Sequence, residues 1–148
     1  MARTYRLGRS RRLVNRALVM TLGVGIGPKA TYLLTTTGRR TGQRRTTPVT
    51  LVESESGRWL VAPYGPVPWV LNVRQTPRVE LRRGRRVEVL HARELPADRS
   101  APVLRTYVRQ VPITRPFFEV TVDSPLEEFE RQAPRHPVFA LLPAAPHR

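Results

Sequence analysis

The stretch ATYLLTTTGRRTGQRRTTPVTLVE, residues 30–53, decides the fold. Ala30 to Thr37 is rich in β-branched residues, which favour a pleated backbone, and Gly38 closes the run. Gln43 to Glu53 has the same character, so the two runs are expected to pair antiparallel around a tip that holds Gly38, Arg39, Arg40, Thr41 and Gly42. Alternation along the second run puts Arg45, Thr47 and Val49 on one face and Arg44, Thr46 and Pro48 on the other, so Arg44 should point away from whatever Arg45 faces. Glycine lets the backbone turn with positive φ and approach a ligand closely. Amide groups in such a turn form a concavity for anions, and guanidinium forks close on phosphate or carboxylate oxygens. The same charge would also suit a solvated hairpin tip.

Outward from this hairpin, Ser54 to Gly57 reads as a turn and Arg58 to Ala62 as a third strand. Pro68 opens a short helix, Trp69 to Gln75, which Pro77 ends. Arg78 to Arg82 and Arg85 to Glu94 form a second hairpin around Arg83 and Gly84, with Val79, Leu81, Val87 and Val89 expected on its buried face. Asp98 is the expected cap of a helix to Gln110, which Pro102 should delay until Ser100 or Ala101. Ser124 and Glu127 form a capping box for a helix from Pro125 to Ala133, and His136 to Leu142 is a last apolar strand. Hairpins without a β-α-β alternation imply an α+β chain, mainly β: a small antiparallel barrel flanked by short helices.

The chain has 148 residues and no cysteine, which excludes disulfides, thiolate metal sites and a cysteine nucleophile; no metal site is expected. One domain over residues 30–148 is expected, preceded by a basic lead-in over residues 1–29. The net charge is +15, Lys29 is the single lysine, and no acidic residue precedes Glu53. Such a surplus implies an anionic partner: a nucleic acid, an acidic membrane surface or a highly charged small molecule. Residues 17–26 are too short and glycine-rich to span a bilayer, and no small-x-small cleavage site follows them. An amphipathic helix from Arg9 to Leu22 is expected instead. It would pack on the barrel or rest on an anionic membrane, giving a cytoplasmic protein with peripheral contact at the inner face.

The string LLTTTGRRTGQRRTTPV, followed by GRWLVAPYG and PWVLNVRQTPRVEL, resembles the deazaflavin-dependent nitroreductase and quinone reductase family, a branch of the split-barrel flavin-binding superfamily. The resemblance spans about Ala30 to Arg93 and implies a split β-barrel that binds coenzyme F(420), whose phospholactyl and oligoglutamate tail is strongly anionic. Position by position, it implies that Arg39, Arg40, Thr41, Gly42 and Arg45 meet the tail. Thr46, Thr47, Pro48, Val49 and Thr50 would run beside the cofactor, and Ala62, Pro63, Tyr64 and Gly65 would contact the ring. Pro68, Trp69, Val70, Leu71 and Asn72 would complete the pocket, where a helix N-terminus also favours phosphate.

The chemistry implied is hydride transfer from the reduced deazaflavin to an electron-poor small molecule such as a quinone, an enone or a nitro compound. His91 and His136 lack spaced catalytic partners and read as structural. Where better-known members carry tyrosines toward the C-terminus, this chain offers Thr114, Phe117 and Phe118, so Tyr64 and Tyr107 are the remaining phenols able to donate a proton. FMN or heme binding in the same barrel, a noncatalytic deazaflavin carrier and a basic nucleic-acid-binding barrel are the alternatives. The last is disfavoured because Tyr32 and Trp59 fall in apolar strands rather than on a stacking platform. Monomer and homodimer both remain open.

Overall fold

In the computed structural model, which describes residues 30–144, β1 (Thr31–Thr37) pairs antiparallel with β2 (Arg44–Ser54), with Leu34 opposite Thr47 and Thr36 opposite Arg45. β3 (Gly57–Val61), the helix α1 (Pro68–Gln75), β4 (Arg78–Arg83) and β5 (Arg86–Glu94) follow. Next come α2 (Ala97–Gln110), a 3-10 segment (Pro112–Phe117), α3 (Leu126–Gln132), a short 3-10 turn (Ala133–Arg135) and β6 (Val138–Pro143). The six strands close in the order β1-β2-β3-β6-β5-β4, every pairing antiparallel, so the sheet leaves no open edge. The expected barrel with flanking short helices is thus what forms; the expected helix from Arg9 to Leu22 lies outside the described residues.

Two cores share one wall. Leu34, Leu51, Leu60, Leu81 and Phe139 fill the barrel together with Val70 and Val73 of α1. Val52, Val61 and Val138 point outward from the same strands into a second core under α2 and α3, built on Leu104, Tyr107, Val108 and Phe129. Double coverage explains why the end of β2, β3 and β6 read as continuous apolar runs rather than alternations.

The second hairpin corrects the sequence pattern. Val79 faces Leu90 and Leu81 faces Glu88 across it. The turn of two residues, Gly84 and Arg85, pairs odd positions of β4 with even positions of β5, so the inner row is Glu88, Leu90 and Ala92. Val87 and Val89 consequently lie outside, 49% and 42% exposed.

Three helix and strand boundaries also differ. α2 starts at Ala97, where Arg99 and Ser100 both donate backbone N–H to the Pro96 carbonyl; Pro102 sits inside it, and Asp98 is not its cap. The bond that proline removes would have gone to the Asp98 carbonyl, on an exposed residue that water can serve. The Ser124 hydroxyl accepts from the Thr121 N–H at 2.9 Å rather than capping, so α3 starts at Leu126 behind Pro125. β6 begins at Val138 because the His136 N–H closes the preceding 3-10 turn on the Ala133 carbonyl and Pro137 has no donor.

Candidate functional site at the arginine tip

The β1–β2 tip is closed on itself. Gly38 N–H donates to the Gln43 carbonyl at 2.7 Å, Gly42 N–H to the Gly38 carbonyl at 2.8 Å, and Gln43 N–H to the Thr41 hydroxyl at 3.2 Å. The two glycines serve different needs: Gly42 has φ +73°, whereas a Cβ at Gly38 would lie 2.9 Å from the Gln43 carbonyl oxygen.

Asn72, in the second turn of α1 and 3% exposed, ties this tip to the barrel. Its Oδ1 accepts from Arg39 N at 3.2 Å and Arg39 Nη1 at 3.1 Å, and its Nδ2 donates to Thr36 Oγ1 at 3.1 Å. Gln75 adds a bond from Nε2 to the Arg39 carbonyl at 3.3 Å. One of the five guanidinium donors of Arg39 is thus spent on holding the loop, while Arg40 and Arg45 are exposed.

The wall divides the predicted residues. Arg45, Thr47 and Val49 stand on the inward row opposite Thr36, Leu34 and Tyr32; Arg45 is at the mouth, where Asn72 bonds Thr36, while Val49 is buried in the core toward the Thr31 end. Thr46, Pro48 and Thr50 stand on the outward row, where Thr46 bonds Thr35 at 2.9 Å and Thr50 bonds Thr31 at 3.4 Å. Arg44 also faces outward and pairs with Glu80, away from the mouth as its parity required.

The β3–α1 connection forms the other arm. Ala62 N–H donates to the Pro137 carbonyl at 2.9 Å, and His136 Nδ1 lies 2.8 Å from the Pro63 carbonyl oxygen. Gly65, with φ +93°, fits where a Cβ would come 3.4 Å from the Arg135 carbonyl. Tyr64 meets Phe117 edge to face at 4.8 Å between centroids. Pro68 supplies the fixed φ that opens α1, Trp69 packs toward Phe139 at 5.9 Å, and Leu71 is half-buried. Ala62 and Val70 are completely buried, so their side chains pack the wall rather than line a surface.

Because a carbonyl only accepts, Nδ1 of His136 carries the proton, and its ring stacks on Phe118 at 3.9 Å. Burial lowers its pKa to about 4 against the opposing pull of the Pro63 carbonyl, so the imidazole is neutral near pH 7. Nε2 is buried and has no hydrogen-bond partner among the described residues. Tyr107 is 3% exposed, and burial, reinforced by Tyr64, pushes its phenol well above the usual value. It is sealed in the second core, while Tyr64 is half-buried at the surface. Sequence spacing did not reveal the tie from His136 to Pro63, which spans 73 positions. A hollow of about 550 Å³ opens beside this stack, lined by Val108, Arg115, Phe118 and Val122 among others, away from the arginine tip. No cluster of metal-ligating side chains occurs among the described residues.

The family model for F(420)H(2)-dependent quinone reductases matches residues 7–121. The chain belongs to that family. As a quinone reductase family member it is a deazaflavin-dependent reductase that uses reduced coenzyme F(420). A solved F(420)H(2)-dependent reductase is 28% identical, aligned over 76% of this chain and 94% of that one at TM-score 0.53. A structure described as a domain-swapped dimer is 26% identical, aligned over 89% and 96% of the two chains at TM-score 0.58. The heme storage protein of Vibrio cholerae, 11% identical over 80% of this chain and 84% of its own at TM-score 0.56, shares the barrel alone. The donor set suits the cofactor of this family: three arginines and two glycines gather at one rim, and an anionic tail needs such donors.

Proposed function

We propose that the reductase clamps the phosphate and glutamate tail of coenzyme F(420) with Arg39, Arg40 and Arg45, and seats the ring between Pro63–Gly65 and the start of α1. The observation that carries this is the Asn72 strut. It fixes the arginine tip to Thr36 at the barrel mouth and to the helix that borders the ring arm, so tail and ring sites form one rigid frame. When bound, the reduced deazaflavin supplies a hydride donor. The protein orients it: Thr41 and Gly42 shape the tip, Thr47 follows Arg45 on the inward row, Val49 packs the wall beneath it, and His136 and Phe117 fix Pro63 and Tyr64 from behind. Thr46, Pro48 and Thr50 act through the wall's geometry, on the side that faces away.

A quinone is the acceptor this reading favours, because the family is named for it and because Phe117 and Phe118 make the segment beside Tyr64 apolar. Tyr64 is the phenol positioned to donate to the charge that develops on a quinone oxygen or a nitro group. An enone remains within the same class. A homodimer is the assembly in view, since the structure 26% identical was solved as a domain-swapped dimer. No helix among the described residues is long and apolar enough to cross a membrane.

The test is kinetic. Tyr64→Phe should lower kcat with a benzoquinone by roughly 10-fold or more while leaving deazaflavin affinity within about threefold. Unchanged kcat removes Tyr64 from the reaction, and a large loss of cofactor affinity alone makes it a binding residue.

A further inference from the structure

The arginine tip uses one end of the barrel, yet a second concentration of arginine stands at the other. β1 enters at Thr31 and reaches the tip after Thr37. At the Thr31 end, Arg83 Nη1 donates to the Thr31 carbonyl at 2.7 Å, which fixes the β4–β5 turn there. That turn reads Arg82, Arg83, Gly84, Arg85, Arg86, without an acidic residue. Gly84 takes φ +60° and its carbonyl accepts from Arg82 Nε at 3.0 Å, so the turn has a set shape.

The neighbouring acids are largely answered. Glu88 pairs with Arg58 at 2.6 Å and Arg86 at 3.0 Å, Glu53 takes Arg58 at 3.5 Å and the Tyr32 phenol at 3.0 Å, and Glu80 takes Arg44. Glu55 is the exposed acid on the β2–β3 turn. β6 ends opposite Leu90, so Arg86 to Val89 extend past it, and Val87 and Val89 present bare valine beside the arginines. The chain before β1 joins at this same end, and residues 1–29 carry seven basic side chains, Arg3, Arg6, Arg9, Arg11, Arg12, Arg16 and Lys29, and no acidic one. The cofactor reading accounts for none of this.

We propose that the β4–β5 turn is a docking face for a bilayer rich in anionic phospholipid. Arg82, Arg85 and Arg86 would meet headgroup phosphates while Val87 and Val89 seat at the acyl boundary. Exposed apolar side chains interleaved with guanidinium groups fit a lipid interface. A nucleic acid would instead call for aromatic platforms, and the large apolar side chains exposed among the described residues are Val87, Val89, Ile113 and Leu126. Arg82, Arg85, Arg86 and Val87 lie at the barrel end opposite the tip, and Val89, opposite Glu80, extends the face along the outer side of the barrel, so docking leaves the cofactor mouth open to water.

The test is co-sedimentation of the full-length protein with phosphatidylglycerol vesicles and phosphatidylcholine vesicles near 0.15 M salt. Arg85→Glu should weaken binding to the anionic vesicles by about 10-fold, whereas Arg99→Glu on α2, the same change in net charge, should cost about threefold or less. The double variant Val87→Ser/Val89→Ser should weaken binding by about fivefold. Deazaflavin affinity measured on each variant should stay at the parent value, which separates loss of the face from loss of the fold or of the cofactor site. Equal losses for Arg85→Glu and Arg99→Glu would overturn the proposal. So would equal binding to both lipids, or a single-stranded RNA that binds more tightly than the vesicles with the same dependence on Arg85.

Discussion

Asn72 makes three hydrogen bonds from a nearly sealed position, and replacing it with alanine strands the Thr36 hydroxyl and the Arg39 N–H together. Asn72→Ala should therefore cost about 1–3 kcal/mol of stability in denaturant unfolding and lower tail affinity, since Arg39 loses its anchor. His136 gives the pH dependence. Its folded pKa, about 4, lies below the ordinary 6.5, so the neutral form is the one the fold accepts. Stability from this group is complete above about pH 6.5 and declines toward pH 4 as the unfolded chain takes up the proton, by at most about 3 kcal/mol. Unfolding curves at pH 7.5 and 4.5 should show that decline in the parent and a smaller one in His136→Gln. The sequence made the turn at Gly42 and the outward course of Arg44 readable, because both follow from local backbone rules. It left the Asn72 strut and the His136 tie hidden, because each partner is more than 30 positions away.

At the scale of elements, alternation and punctuation located all six strands and the three described α-helices, and failed where two signals competed. Val87 and Val89 satisfy the period of a strand, but parity across a two-residue turn, not the pattern within either strand, decides which row faces inward. Ser124 matches a capping box, yet its hydroxyl is taken by the tight turn from Thr121. The second core supplies an element-level prediction. Phe129 is fully buried on α3 against α2, so Phe129→Ala should cost about 3–5 kcal/mol, read as a loss in Tm, with little change in the affinity of the cofactor for the protein that remains folded. A matched loss of affinity in that folded fraction would mean that the α2–α3 layer shapes the ring arm more directly than its contacts indicate.

For the whole molecule, the barrel explains how two concentrations of arginine, at the tip and at the β4–β5 turn, are kept apart. β1 carries the tip at one end and meets the β4–β5 turn at the other, and the apolar interior between them holds Leu34, Leu51, Leu60 and Phe139. The cofactor tail is assigned to the tip alone. That assignment is tested by titrating the parent and the triple variant Arg39→Gln/Arg40→Gln/Arg45→Gln with coenzyme F(420) and with a deazaflavin that lacks the tail, following the intrinsic fluorescence of the ligand. Three charge-assisted contacts, two of them from exposed arginines, predict a loss of about 100-fold for the full cofactor and about threefold or less for the tail-free compound. Equal losses for the two ligands would contradict the assignment of the tip to the tail.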